Sequence, residues 1–93
     1  MKKLQPNEKE IVGSWVMDGG SVVLDDNCKR INNLISKVLL KIKISPDGWN
    51  TLFRDPNDGR YWELSYPQSE LHGGGPPTLT YLDFEEVEKK YEI

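Results

Sequence analysis

The chain has 93 residues, 37% of them hydrophobic and 29% charged, and a formal net charge of −3. That size predicts one domain, 1–93, with one modest core, and the composition excludes a disordered chain. No apolar run approaches the ~20 residues of a membrane span, and the lysines of Met1-Lys2-Lys3 have no apolar stretch behind them, so no secretory signal is expected and the chain is placed in the cytoplasm.

Charge is divided unevenly along the chain. Residues 1–54 hold nine basic and six acidic side chains, whereas residues 55–93 hold three basic and nine acidic. The acidic half argues against direct nucleic-acid binding, because phosphate contacts need lysine and arginine, and suits a basic partner instead. Cys28 is the only cysteine, which excludes an internal disulfide and a multi-cysteine zinc site.

Ile11 to Met17 reads as a strand, Asp18-Gly19-Gly20 as a turn, and Ser21 to Leu24 as the returning strand. Asp25-Asp26-Asn27 offers an N-cap for a helix over about 26–36. Cys28, Ile31, Leu34 and Ile35 form its apolar stripe, which marks Cys28 as a half-buried hydrophobe.

From Val38 the period changes to two. Val38, Leu40, Ile42 and Ile44 alternate with Leu39, Lys41 and Lys43, the pattern of a strand with one buried face. Ser45-Pro46-Asp47-Gly48 is a tight-turn sequence. Trp49 to Arg54 then reads as the return strand, with Trp49, Thr51 and Phe53 on one face. A second turn, Asp55-Pro56-Asn57-Asp58-Gly59, leads into a third strand. There Arg60, Trp62, Leu64 and Tyr66 share one face, and Tyr61, Glu63 and Ser65 the other.

A further strand is expected near 78–82. Asp83 with Glu86 three residues on makes a capping box for a last helix, about 84–91. The predicted fold class is α+β: a small antiparallel sheet (a meander over about 38–66, an N-terminal hairpin and a strand near 78–82), one packed helix and one C-terminal helix.

Residues 55–77 stand apart. Pro56, Pro67, Pro76 and Pro77 exclude a helix, and Tyr61, Trp62, Tyr66, the only histidine and Gly73-Gly74-Gly75 crowd the same segment. Ordered loops of this kind carry recognition. An enzyme would pair His72 with Glu63 or Glu70 as acid and base, yet no serine or cysteine sits in a nucleophile pattern. Asp55, Asn57 and Gly59 imitate part of a calcium loop without its remaining ligands, and the single histidine leaves no zinc set. The three glycines lack the lysine and serine or threonine of a P-loop. The residues thus call for no catalysis, no metal and no cofactor. Trp62, Tyr66 and Arg60 suit either a core face or an interaction hot spot.

Several motifs resemble the immunity protein 27 family. They are Gly13-Ser14-Trp15, Asp47-Gly48-Trp49, the run Asp55 to Glu63, Tyr66-Pro67-Gln68-Ser69-Glu70, the run His72 to Pro77, and Lys90-Tyr91. The similarity extends over about residues 11–91. It implies a small cytoplasmic antidote of bacterial polymorphic-toxin or contact-dependent growth inhibition systems, which binds a cognate toxin domain, often a nuclease, and blocks it. The expected partner-binding residues are Asp55, Asp58, Arg60, Trp62, Glu63, Tyr66, Glu70, His72, Glu85 and Glu86. The competing expectation is a small-ligand or peptide-binding module that uses the 66–77 loop.

Overall fold

The computed structural model describes residues 4–67 and 75–93. Where one strand was expected over Ile11–Met17, the chain forms β1 (Glu10–Val12) and β2 (Trp15–Asp18). Gly13 is the cause of the break. Its N–H donates to the Pro77 carbonyl at 2.9 Å, and a Cβ there would lie 2.6 Å from that oxygen and 2.7 Å from Cys28 Sγ. The backbone is pressed against two neighbours at once, and only glycine fits. β2 then pairs with β3 (Ser21–Leu24) in a separate hairpin. Its turn uses Gly19 and Gly20 at φ 59° and 88°, the positive values a two-residue hairpin turn requires.

Asp25 caps α1 (Asp26–Asn33) by accepting a hydrogen bond from Cys28 N at 2.8 Å. Burial of the carboxyl opposes its ionisation, but the amides of Cys28 and Ser14 outweigh that and hold its pKa below the usual carboxylate value. The helix continues as a π-helical turn, Leu34–Val38, closed by Leu39 N on the Leu34 carbonyl at 2.7 Å. Cys28, Ile31 and Leu34 are buried and Ile35 is partly buried, as the stripe predicts. The Cys28 thiol points at the Ser14 carbonyl (3.2 Å), and burial pushes its pKa up. It is a packing residue without the thiolate that reactivity needs.

The remaining strands are β4 (Leu40–Ile44), β5 (Thr51–Arg54), β6 (Tyr61–Ser65) and β7 (Thr78–Leu82). With β1 they form a five-stranded antiparallel sheet in the order β1-β7-β6-β5-β4. The 38–66 meander is therefore present, and β7 lies between its last strand and β1.

Both faces of the sheet are covered. On one, Ile31 of α1 and Leu34 of the π-helical turn pack with Phe53, Trp62, Leu64, Leu79, Ile11 and Leu39. On the other, α2 (Phe84–Tyr91) lays Val87 and Tyr91 on Leu52 and Leu82. The alternation of β5 and β6 divides their side chains between these two layers. α2 begins with the predicted capping box, in which Asp83 accepts from Glu86 N at 2.8 Å.

β4 departs from expectation. Val38 belongs to the π-helical turn, and Leu40, Ile42 and Ile44 are 53%, 43% and 47% exposed instead of forming a buried face. Two physical reasons combine. The register shifts between Lys41 and Lys43, so a bulge breaks the period of two. The strand also lies at the sheet edge, outside the two clusters that α1 and α2 bury. Trp49 likewise sits in the preceding turn, 70% exposed, and not on β5.

Candidate functional site

The expected partner-binding residues divide into groups with different surroundings. Asp55 is buried, and its carboxylate accepts from Asn57 N at 2.8 Å within the 55–59 turn. Asp55 N donates to the Arg60 carbonyl and its own carbonyl accepts from Gly59 N, both at 2.8 Å, so this residue closes the turn from both sides.

Arg60 is a clamp. Its Nε donates to Asp58 Oδ2 at 2.6 Å, while its two terminal nitrogens reach the carbonyls of Glu8 (3.0 Å) and Gln5 (2.9 Å). The guanidinium lies 5.1 Å from the Trp62 ring centre and 5.9 Å from that of Tyr81, near enough for cation–π attraction. The N-terminal segment is thereby pinned to the sheet. Asp58 remains partly exposed. Burial would raise its pKa, but the Arg60 amide and guanidinium outweigh burial and hold it below the usual carboxylate value.

Trp62 and Glu63 have almost no surface to offer. Trp62 is 0% exposed at the centre of the α1-side core, and its Nε1 has no hydrogen-bond partner among the described residues. Glu63 is turned to the other face, where Oε1 accepts from Lys90 Nζ at 2.9 Å and Oε2 from the Tyr91 hydroxyl at 2.8 Å. Burial first, and then the hydrogen bond to Glu63 and its charge, push the Tyr91 phenol far above its ordinary pKa. For Asp55, Trp62 and Glu63 the structure therefore supplies internal roles, and a side chain with no free surface makes no direct contact with a partner in this conformation.

Tyr66, Asp58, Glu85 and Glu86 are exposed or partly exposed. Glu70 and His72, with most of the 66–77 loop, lie outside the described residues. The register sets Tyr61 opposite Leu82, which brings the 55–60 turn and the start of α2 to the same end of the sheet. Tyr61 and Phe84 bridge them with ring centres 6.0 Å apart. Asp58, Asp83, Glu85 and Glu86 therefore gather at one end, around a partly exposed aromatic pair. Tyr66 and Trp49 lie at the opposite end.

The family model for immunity protein 27 matches residues 17–83. This chain belongs to the immunity protein 27 family. Family membership makes it a non-catalytic immunity protein and implies neutralisation of a cognate toxin. Comparisons with curated proteins and with solved structures find no match. The matched stretch contains the 55–67 segment but stops short of Gly13-Ser14-Trp15 and Lys90-Tyr91.

An immunity protein works through its surface, and sequence reasoning overlooked part of this one. On the β2–β3 hairpin Val16, Met17, Val22, Val23 and Leu24 are between 37% and 68% exposed. Trp15, Val22, Val23 and Leu24, with Lys29 of α1, line an open groove. The available signal was Val22-Val23-Leu24: consecutive apolar residues on a two-stranded ribbon must place some of them outward. Edge strand β4 is the second overlooked surface. Among the described residues no helix is long and apolar enough to cross a membrane, and no group of three or more metal-ligating side chains is assembled.

Proposed function

We propose that this immunity protein neutralises its toxin by stoichiometric blockade in the cytoplasm, and that the toxin is a basic nuclease. The observation that supports this reading is the gathering of Asp58, Asp83, Glu85 and Glu86 at one end of the sheet. Carboxylates placed in this way can occupy a channel built for nucleic-acid phosphates, while the acidic half of the chain repels nucleic acid itself. Asp58, Glu85 and Glu86 are the proposed contacts at this end, and Tyr66 is a proposed contact at the other; Glu70 and His72 are proposed contacts that lie outside the described residues.

Co-expression with the toxin domain encoded beside its gene tests the reading. Restored growth and a one-to-one complex are expected, and a toxin that still kills and does not bind would refute it. With purified proteins, the association rate should fall steeply as salt rises through the range that shortens the Debye length to ~8 Å. An association rate insensitive to salt would remove the carboxylates from the recognition step.

A further inference from the structure

We infer that the free edge of the main sheet, β4, is where the toxin adds a strand of its own, and that this strand is apolar and carries carboxylates. The inference rests on the toxin-neutralising function and adds a second contact surface to the acidic end.

β4 is last in the sheet order, and all five of its residues are exposed. An edge strand leaves the outward half of its N–H and C=O groups unpaired, which is a template for another strand. The side chains favour such an addition. Leu40, Ile42 and Ile44 are about half exposed, and the bulge at Ile42 sets Leu40 beside Lys43 on the α2 face and Ile44 beside Lys41 on the α1 face. Apolar side chains left half exposed on both faces of a free edge suit burial against a partner.

The lysines decide which strand fits. The bulge leaves one lysine on each face of β4, Lys41 on the α1 side and Lys43 on the α2 side, so a second copy paired antiparallel adds its own lysines to the same two faces. Like charges crowded on one face are destabilising, and self-pairing doubles the lysines on each. The same lysines attract a strand with Asp or Glu at the facing positions. Lys41 has no ion-pair partner among the described residues, whereas Lys43 Nζ is partly engaged by the Tyr91 carbonyl at 2.8 Å. The edge is thus closed to its own kind and open to an acidic apolar strand. Backbone pairing supplies the affinity in such additions, and the alternating side chains supply the choice of partner.

Hydrogen exchange measured by mass spectrometry, on the protein alone and bound to the toxin domain encoded beside its gene, tests this. Exchange across residues 40–44 should slow by about tenfold or more in the complex. Lys41→Glu, a surface change, should weaken the complex roughly tenfold while leaving the melting temperature within the range of surface substitutions. Ile42→Pro removes a backbone donor and should weaken the complex at least as far, and if that variant fails to fold, Lys41→Glu decides. A complex in which residues 40–44 exchange as in the free protein, and which Lys41→Glu leaves intact, overturns this inference alone. Absence of any complex with the unaltered protein overturns the toxin-blocking reading and this one together. A homodimer by analytical ultracentrifugation that protects 40–44 gives the edge to a second copy and also overturns it.

Discussion

Two regions of this immunity protein use aromatic, apolar and charged residues in opposite directions. In residues 55–65 Asp55, Trp62 and Glu63 turn inward. Asp55 closes a turn, Arg60 clamps the N-terminal segment, Trp62 fills one core, and Glu63 anchors Tyr91 and Lys90 in the other. In the hairpin 15–24 and the edge strand 40–44 an ordinary run of Val, Leu, Ile and Lys remains on the surface. Unusual composition marks where the architecture is most constrained, and plain composition can still hold the open surface. The two regions should therefore respond differently to mutation: the first through stability, the second through binding.

Trp62→Ala should have the largest effect. Removing a wholly buried indole should cost about 3–5 kcal/mol, a large part of the stability of a small domain. Denaturant unfolding measures this, and toxin protection should be lost with the fold. Trp62→Phe should cost less, because it also removes a buried N–H without a partner among the described residues. A Trp62→Ala protein that unfolds normally but no longer binds toxin would reverse the comparison and make Trp62 a contact residue.

Gly13→Ala comes next, at about 1–3 kcal/mol, since the new methyl meets a backbone oxygen and the buried Cys28 sulfur. Chemical denaturation of the variant reads this cost directly. No loss of stability would show that the junction between β1 and the hairpin can shift, and that the close approach there is not required.

Tyr91→Phe should cost about 1–2 kcal/mol at neutral pH by leaving a Glu63 oxygen without its hydroxyl donor. Its clearer signature lies in alkali. Below pH ~10 the phenol is neutral in folded and unfolded chains alike, so its stabilisation is complete. As pH rises further only the unfolded chain ionises, because the folded value is raised, and stability should decline steadily. Stability measured from pH 8 to 11 should fall in the parent and flatten in Tyr91→Phe. Equal slopes would mean that the phenol does not hold its buried position.

Much of the fold was legible in the sequence for physical reasons. The capping residues Asp25 and Asp83, the stripe Cys28-Ile31-Leu34 and the turns at 18–21, 45–48 and 55–59 are local signals, and each is present. What was illegible depended on distant partners. The period of two over 38–44 resembled a buried strand, but no residue there records that β4 ends the sheet or that its phase slips at a bulge. The break at Gly13 is set by Pro77, sixty-four residues away in the chain. The site was less legible than the fold. Asp58, Glu85 and Glu86 are brought to one end only through the pairing of β6 with β7; Trp62 reads as core or interface with equal ease and Glu63 as a partner contact until both faces of β6 are seen to be covered.

Trp49→Ala should have the smallest effect on stability and is the sharpest test of the comparison. Its ring is 70% exposed, and the turn beneath it does not depend on the ring. Asp47 accepts from the Trp49 amide at 3.0 Å and from the Ser45 hydroxyl, while Gly48 N donates to the Ser45 carbonyl at 2.9 Å. Alanine preserves every one of these bonds, so the unfolding free energy should change by no more than ~0.5 kcal/mol. An exposed tryptophan beside an open edge is nevertheless the residue type that dominates interfaces, and truncation there should cost about 1–2 kcal/mol of toxin affinity, close to tenfold in the dissociation constant. Calorimetric titration of the toxin domain against Trp49→Ala, paired with its melting curve, separates the two quantities. Loss of affinity at unchanged stability would place recognition on the plain strands. Unchanged affinity would return recognition to the acidic end and leave the exposed ring of Trp49 without a part in it.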